Sequence, residues 1–140
     1  CEDEGRESRA IADKIKELQK SGRPVSWRGH MTEEELHEAY RHAAFTPFPS
    51  LAEGFGLPII ESFWHCRPVI CSDQGAVGEL SRQGGCLTVD VTKPSKLADA
   101  MESLLQDASR CAALAKEAYD RPLRSWADYW SELKPLLDIR

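Results

Sequence analysis

Residues 68–72, PVICS, constrain this chain more than any other stretch. A short apolar run of this kind reads as a strand buried on both faces, which is the pattern of a parallel sheet. Parallel strands need crossover connections, and the flanking sequence supplies them. The expectation is an α/β domain in which short strands alternate with helices lying on both faces of the sheet.

The other elements follow from local signals. Ser8 can cap a helix carrying Ile11, Ile15 and Leu18 at three- and four-residue spacing, with Gly22 beyond its end. PVSWRG, with Val25 and Trp27 alternating with polar neighbours, predicts a strand. Thr32 and Glu35 form a capping box for a helix with Leu36, Ala39, Tyr40 and Ala43 on its buried face. AFTPF predicts a strand whose Pro47 places it near an end or edge of the sheet. Pro58 suits the first turn of the next helix, which runs through Ile60, Phe63 and Trp64 and stops before Arg67-Pro68. A short helix is expected over Val77 to Arg82, then Gly84-Gly85 and a strand CLTVD. Pro94 and Ser95 open a helix with Leu97, Met101, Leu104 and Leu105 inward. Another covers Cys111 to Ala118, and the last runs over about 125–137 with Trp126, Tyr129, Trp130 and Leu133. The pattern supplies about four strands, fewer than a free-standing doubly wound domain has. It therefore predicts a single truncated domain over residues 1–140, lacking its first strand or strands.

Charge narrows the partner. Eighteen basic against 23 acidic residues give −5, with no basic run, which argues against nucleic acid and anionic membrane surfaces. A phosphorylated small molecule remains compatible, because helix N-terminal amides hold phosphate without a basic surface. Cysteines at 1, 66, 71, 86 and 111 are odd in number and include no CxxC pair, so neither a disulfide framework nor a zinc ribbon is indicated. Cys66, Cys71 and Cys86 read as small core residues, and a reducing cytoplasm suits them. The absence of an initiator Met before Cys1 predicts a piece of a longer protein, a lipid-modified N-terminal cysteine being the rival explanation.

The candidate ligand site is EGFGLPIIES, residues 53–62. Ligands of open α/β sheets bind beyond the carboxyl ends of the strands, where this βα loop would lie. Gly54 and Gly56 allow close backbone approach or positive φ. The amides around Phe55 to Ile59 would point at the ligand, where the helix dipole favours an anion such as a diphosphate. Glu53 at the loop mouth can accept from sugar hydroxyls, and Glu61 can bridge the vicinal hydroxyls of a ribose. The same glycines would also make a plain tight turn with two solvated glutamates. Glycoside hydrolysis is disfavoured, since it needs carboxyl groups facing each other across a bond.

EGFGLPxxE, with its glutamates seven residues apart, resembles the E-x7-E signature of the retaining GT-B glycosyltransferases of family 4. The likeness extends over WRGHMTEEELHEAYRHAAFTPFPS before it, and over PVICSDQGAVGEL and GGCLTVDVTKPSKLADAMESLLQD after it. SWADYWSEL is similar to the family's terminal helix. The resemblance implies a Rossmann-like parallel sheet with flanking helices, part of the C-terminal, donor-binding domain. It implies transfer of a hexose from a nucleotide sugar, such as a GDP- or UDP-hexose, to a glycan or lipid-linked acceptor in polysaccharide biosynthesis. No metal and no further cofactor are implied. The setting would be cytoplasmic, with the full-length protein peripheral on the inner membrane face. Glu53 is then the catalytic-site residue that contacts the donor sugar. Gly54, Phe55, Gly56 and Leu57 meet sugar and diphosphate through their amides, Glu61 holds the ribose, and His30 and Met31 match the place where the backbone meets the base. Glu79 matches a recurrent acidic residue.

The chain also departs from the pattern. Cys66 stands where the family usually has a helix-ending glycine, and a left-handed cysteine costs roughly 1 kcal/mol, which predicts a different cap. Trp64 and His65 replace smaller residues, and His65 reads as packed or exposed rather than as a ligand. No Arg or Lys matches the pair that neutralises the donor diphosphate, Arg6 and Arg9 being out of place, and the N-terminal acceptor domain is not represented. The isolated chain is expected to bind donor weakly and turn nothing over. A non-catalytic nucleotide-sugar-binding domain and a sugar-nucleotide epimerase of the same fold are the alternatives.

Overall fold

A computed structural model describes residues 2–137; the readings of Cys1 fall outside them. The contacts divide into two compact units, Cys1–Glu35 and Leu36–Arg140.

In the first unit, helix α1 (Glu2–Lys20) begins well before Ser8, so Ser8 lies inside the helix and does not cap it. No proline precedes Ser8 to stop the helix from starting earlier. Gly22 ends the segment with φ 77°. The strand expected over PVSWRG is not formed. The Val25 amide donates back to the Arg23 carbonyl at 2.8 Å, a three-residue turn. The Val25 carbonyl accepts from the Gln19 side chain at 3.0 Å, and Pro24 has no N–H to offer a sheet. Thr32 and Glu35 make the expected reciprocal cap at the start of helix α2 (Glu33–His42), at 3.2 and 2.9 Å.

The second unit is built on a parallel sheet of strands β1 (Thr46–Phe48), β2 (Val69–Ser72) and β3 (Cys86–Val89), in the order β1-β2-β3. β2 is central and every residue in it is buried, as its apolar run predicts. β1 is an edge strand, where Pro47 is tolerated. The remaining helices are α3 (Leu57–Trp64), α4 (Gly75–Ser81), α5 (Pro94–Gln106), α6 (Ala108–Asp120) and α7 (Trp126–Leu136).

Side chains alternate across β2 and so divide the core in two. Val69 and Cys71 pack with Ile59 and Phe63 of α3, Val77 of α4 and Ala118 of α6. Ile70 packs on the other face with Ala100 and Leu104 of α5. Helices thus cover both faces, as expected. Two expected faces are not buried. Leu105 is 69% exposed, because the α5 stripe that meets the sheet runs through Leu97, Ala100, Met101 and Leu104. α2 contains no buried residue; Tyr40 reaches α3 through its hydroxyl, which donates to Glu61. Of the three cysteines read as core, Cys71 is buried while Cys66 and Cys86 are half-buried, and all are free thiols.

The end of α3 corrects another expectation. Cys66 takes the left-handed conformation, φ 54°, that a glycine would take there. Its amide donates to the Phe63 carbonyl at 2.8 Å and the Arg67 amide to the Ser62 carbonyl at 2.9 Å, the two bonds of a Schellman cap. The cap is retained at the expense of strain, and Pro68 follows as the stop. At the start of α4, a Cβ on Gly78 would sit 2.2 Å from the Asp73 carbonyl oxygen, so the turn leaving β2 presses on the helix backbone.

These two positions give opposite expectations, measured by urea denaturation followed by circular dichroism. Gly78→Ala should lose about 1–3 kcal/mol, because it overpacks a backbone contact. Gly54→Ala, with nothing near its Cβ, serves as a neutral control. Cys66→Gly should gain about 1 kcal/mol by relieving the left-handed residue.

Candidate active site on the connection between strand 1 and helix 3

The loop over residues 49–56 leaves the carboxyl end of β1 and turns into α3. Gly56 makes the turn. It is the N-cap residue, with φ 86° and ψ 51°, and it is buried against Ile59 and Val77. A side chain there would be strained in the left-handed region. The Ile59 amide bonds back to the Gly56 carbonyl at 3.0 Å, and Pro58 contributes no N–H. Among the described residues, the amides of Gly54, Phe55 and Gly56 donate to no backbone carbonyl, which leaves donors at the positive end of the α3 dipole.

Glu53 is exposed, and its Oε1 accepts from the Ser50 hydroxyl at 2.8 Å. Glu61 is also exposed, one turn into α3, and its Oε2 accepts from the Tyr40 hydroxyl at 3.0 Å. The α3 backbone beneath is held firmly. The buried Ser62 hydroxyl lies 2.6 Å from Thr46 Oγ1 of β1 and donates to the Arg67 carbonyl at 3.0 Å. Glu53, Gly54, Phe55, Gly56, Leu57 and Glu61 therefore share one strand–loop–helix segment. His30 and Met31 belong to the first unit, in the loop before α2, His30 exposed and Met31 half-buried. Glu79 is exposed on α4.

Tyr40 and His65 gain a place that the sequence did not assign. The Tyr40 ring stacks on His65, with centroids 5.4 Å apart and planes 6° apart, and His65 Nε2 lies 2.9 Å from His37 Nδ1. Burial, then the hydrogen bond to Glu61 and its charge, push the Tyr40 phenol well above its usual range. Burial, then His37, Arg41 and Arg67, lower the His65 imidazole, with Glu61 opposing them. Beside the loop, Phe55, Trp64, Arg124, Ser125, Trp126 and Tyr129 line an open groove of about 740 Å³. No group of three or more His, Cys, Asp or Glu suited to a metal ion occurs among the described residues. None of their helices is long and apolar enough to cross a membrane.

The sequence profile of the family described as Glycosyl transferases group 1 matches residues 4–107. The chain belongs to that family. The group 1 glycosyltransferase chain is 37% identical over 86 residues to the D-inositol 3-phosphate glycosyltransferase of Rhodococcus opacus (strain B4), 61% of this chain and 19% of the relative. It is 29% identical over 102 residues to the O-antigen chain mannosyltransferase B of Escherichia coli, 73% of this chain and 27% of the relative. Sucrose-phosphate synthase from Thermosynechococcus elongatus superposes with a TM-score of 0.81 at 27% identity, over 95% of this chain and 34% of that one. The group 1 chain thus has the α/β architecture of a GT-B glycosyltransferase fragment, and it spans between a fifth and a third of these relatives.

The lowered His65 sets a pH dependence with a definite sign. Below the ordinary imidazole value of 6.5, the unfolded chain takes up a proton that the folded His65 resists. Stability should therefore fall as pH drops through that range. Urea midpoints at pH 7.5 and 5.5 should differ less in His65→Gln than in the parent chain.

Proposed function

We propose that this chain is the donor-binding part of a retaining hexosyltransferase. The observation that carries the reading is the single β1–α3 connection, which sets unpaired loop amides at a helix N-terminus with a carboxylate on either side. A nucleoside diphosphate-hexose suits it. The diphosphate takes the amides of Gly54, Phe55, Gly56 and Leu57, Glu53 accepts from hexose hydroxyls, and Glu61 takes the ribose diol. Membership of a glycosyltransferase family, and relatives named for glycosyl and mannosyl transfer, support a nucleotide-sugar donor and a glycan or lipid-linked acceptor.

The bond from the anomeric carbon to the diphosphate breaks, and its electron pair leaves with the phosphate oxygen. The acceptor hydroxyl forms the new bond on the same face of the sugar and gives its proton to the departing diphosphate. The loop amides favour this step to the extent that they hold the developing phosphate charge more tightly than the bound donor, and Glu53 keeps the hexose in register. The reaction needs no metal or further cofactor.

Saturation-transfer NMR of the chain against UDP-, GDP- and ADP-hexoses and the free nucleotides tests the reading. One base series should receive transfer at ribose and base. Glu61→Ala should weaken nucleotide sugar and free nucleotide alike, by about tenfold, the scale of a lost hydrogen bond to a charged group. Glu53→Ala should weaken only the nucleotide sugar. Loss of both ligands in Glu53→Ala would contradict the division of roles.

A further inference from the structure

The hydroxyl of Tyr40 crosses from α2 to α3 and has one proton to give. It lies 3.0 Å from Glu61 Oε2 and 3.4 Å from the Pro58 carbonyl oxygen. The shorter contact, to an ionised acceptor, takes the proton. An exposed glutamate would otherwise wander among rotamers. Here one oxygen is anchored, leaving Oε1 and a second lone pair on Oε2 turned to other donors. The tyrosine is itself braced: its ring lies flat on His65, which is bonded to His37 one turn earlier on α2.

We propose that Tyr40 is a positioning residue, which fixes the Glu61 carboxylate in the pose that receives a ribose diol. The inference rests on the reading of Glu61 given above and adds the residue that prepares it. The geometry distinguishes this role from simple packing. Packing uses the ring, which phenylalanine preserves; positioning uses the hydroxyl, which phenylalanine removes.

The experiment is a binding titration by ligand-observed NMR with UDP, GDP and ADP and their 2′,3′-dideoxy counterparts. It compares the parent chain, Tyr40→Phe, Glu61→Gln and the double variant. The parent chain should prefer the ribonucleotide, and Glu61→Gln should abolish that preference. Tyr40→Phe should weaken the ribonucleotide about tenfold and leave the dideoxynucleotide unchanged, with the double variant no worse than Glu61→Gln alone. Full preference retained in Tyr40→Phe overturns the inference and leaves Glu61 as a ribose ligand. Equal weakening of both nucleotides in Tyr40→Phe means structural damage and also overturns it. A parent chain that binds none of the nucleotides, or that treats both sugars alike, removes the reading of Glu61 and the inference with it.

Discussion

Phe63 is the side chain through which the second unit is held together. Its ring is 1% exposed, in the cluster that joins α3, β2, α4 and α6. The guanidinium of Arg121 lies 4.3 Å from the ring centroid and is itself nearly buried. That charge is satisfied by the carbonyls of Leu80 and Gly84, at 2.9 and 2.8 Å, so burying it does not leave donors orphaned. Any side chain on Gly85 would strike Phe63 and Ala118, at 2.9 and 3.1 Å, so the entrance to β3 is threaded between ring and helix. Desolvation weakens the hold of Arg121 on its proton, yet its cation stays paired with a ring face and two carbonyls.

The candidate site inherits its rigidity from this cluster. α3 carries Phe63 on its inner face and Glu61 on its outer one, so packing that immobilises one immobilises the backbone of the other. Ser62 sits between them in sequence and ties the same helix to β1 and to its own C-terminal cap. Among the described residues, the Glu53 side chain accepts from Ser50 within its own loop, while Phe55 stands 59% exposed. One carboxylate is therefore set on a packed helix and the other on an exposed surface loop.

Much of this was legible because the signals are local. The buried run at 68–72, Pro58 in the first turn of α3 and the Thr32–Glu35 box each specify their geometry within a few residues. What failed depended on partners. The alternation of Val25 and Trp27 fits a strand equally well when no neighbouring strand is present, and the backbone turned to Gln19 instead. Leu105 continues an apolar run but falls off the stripe that meets the sheet. Cys66 predicts an altered cap, whereas the two backbone hydrogen bonds of the Schellman motif outweigh the preference of one residue. Tyr40 was placed on an apolar face by periodicity; its hydroxyl's reach to Glu61, 21 residues along, has no trace in spacing. The fold of the segment carrying Glu53 to Glu61 could be read ahead, but the second layer around Glu61 could not.

The aromatic residues lie largely outside the core, and this has an optical consequence. All four tryptophans are solvent-accessible, Trp27 at 58%, Trp64 at 70%, Trp126 at 86% and Trp130 at 49%. Their indoles already meet water in the native state, so intrinsic emission starts red-shifted and changes little when the sheet comes apart. Fluorescence of this chain reports on its surface, above all on α7 and the groove beside Phe55. The phenylalanine at its centre is dark by comparison.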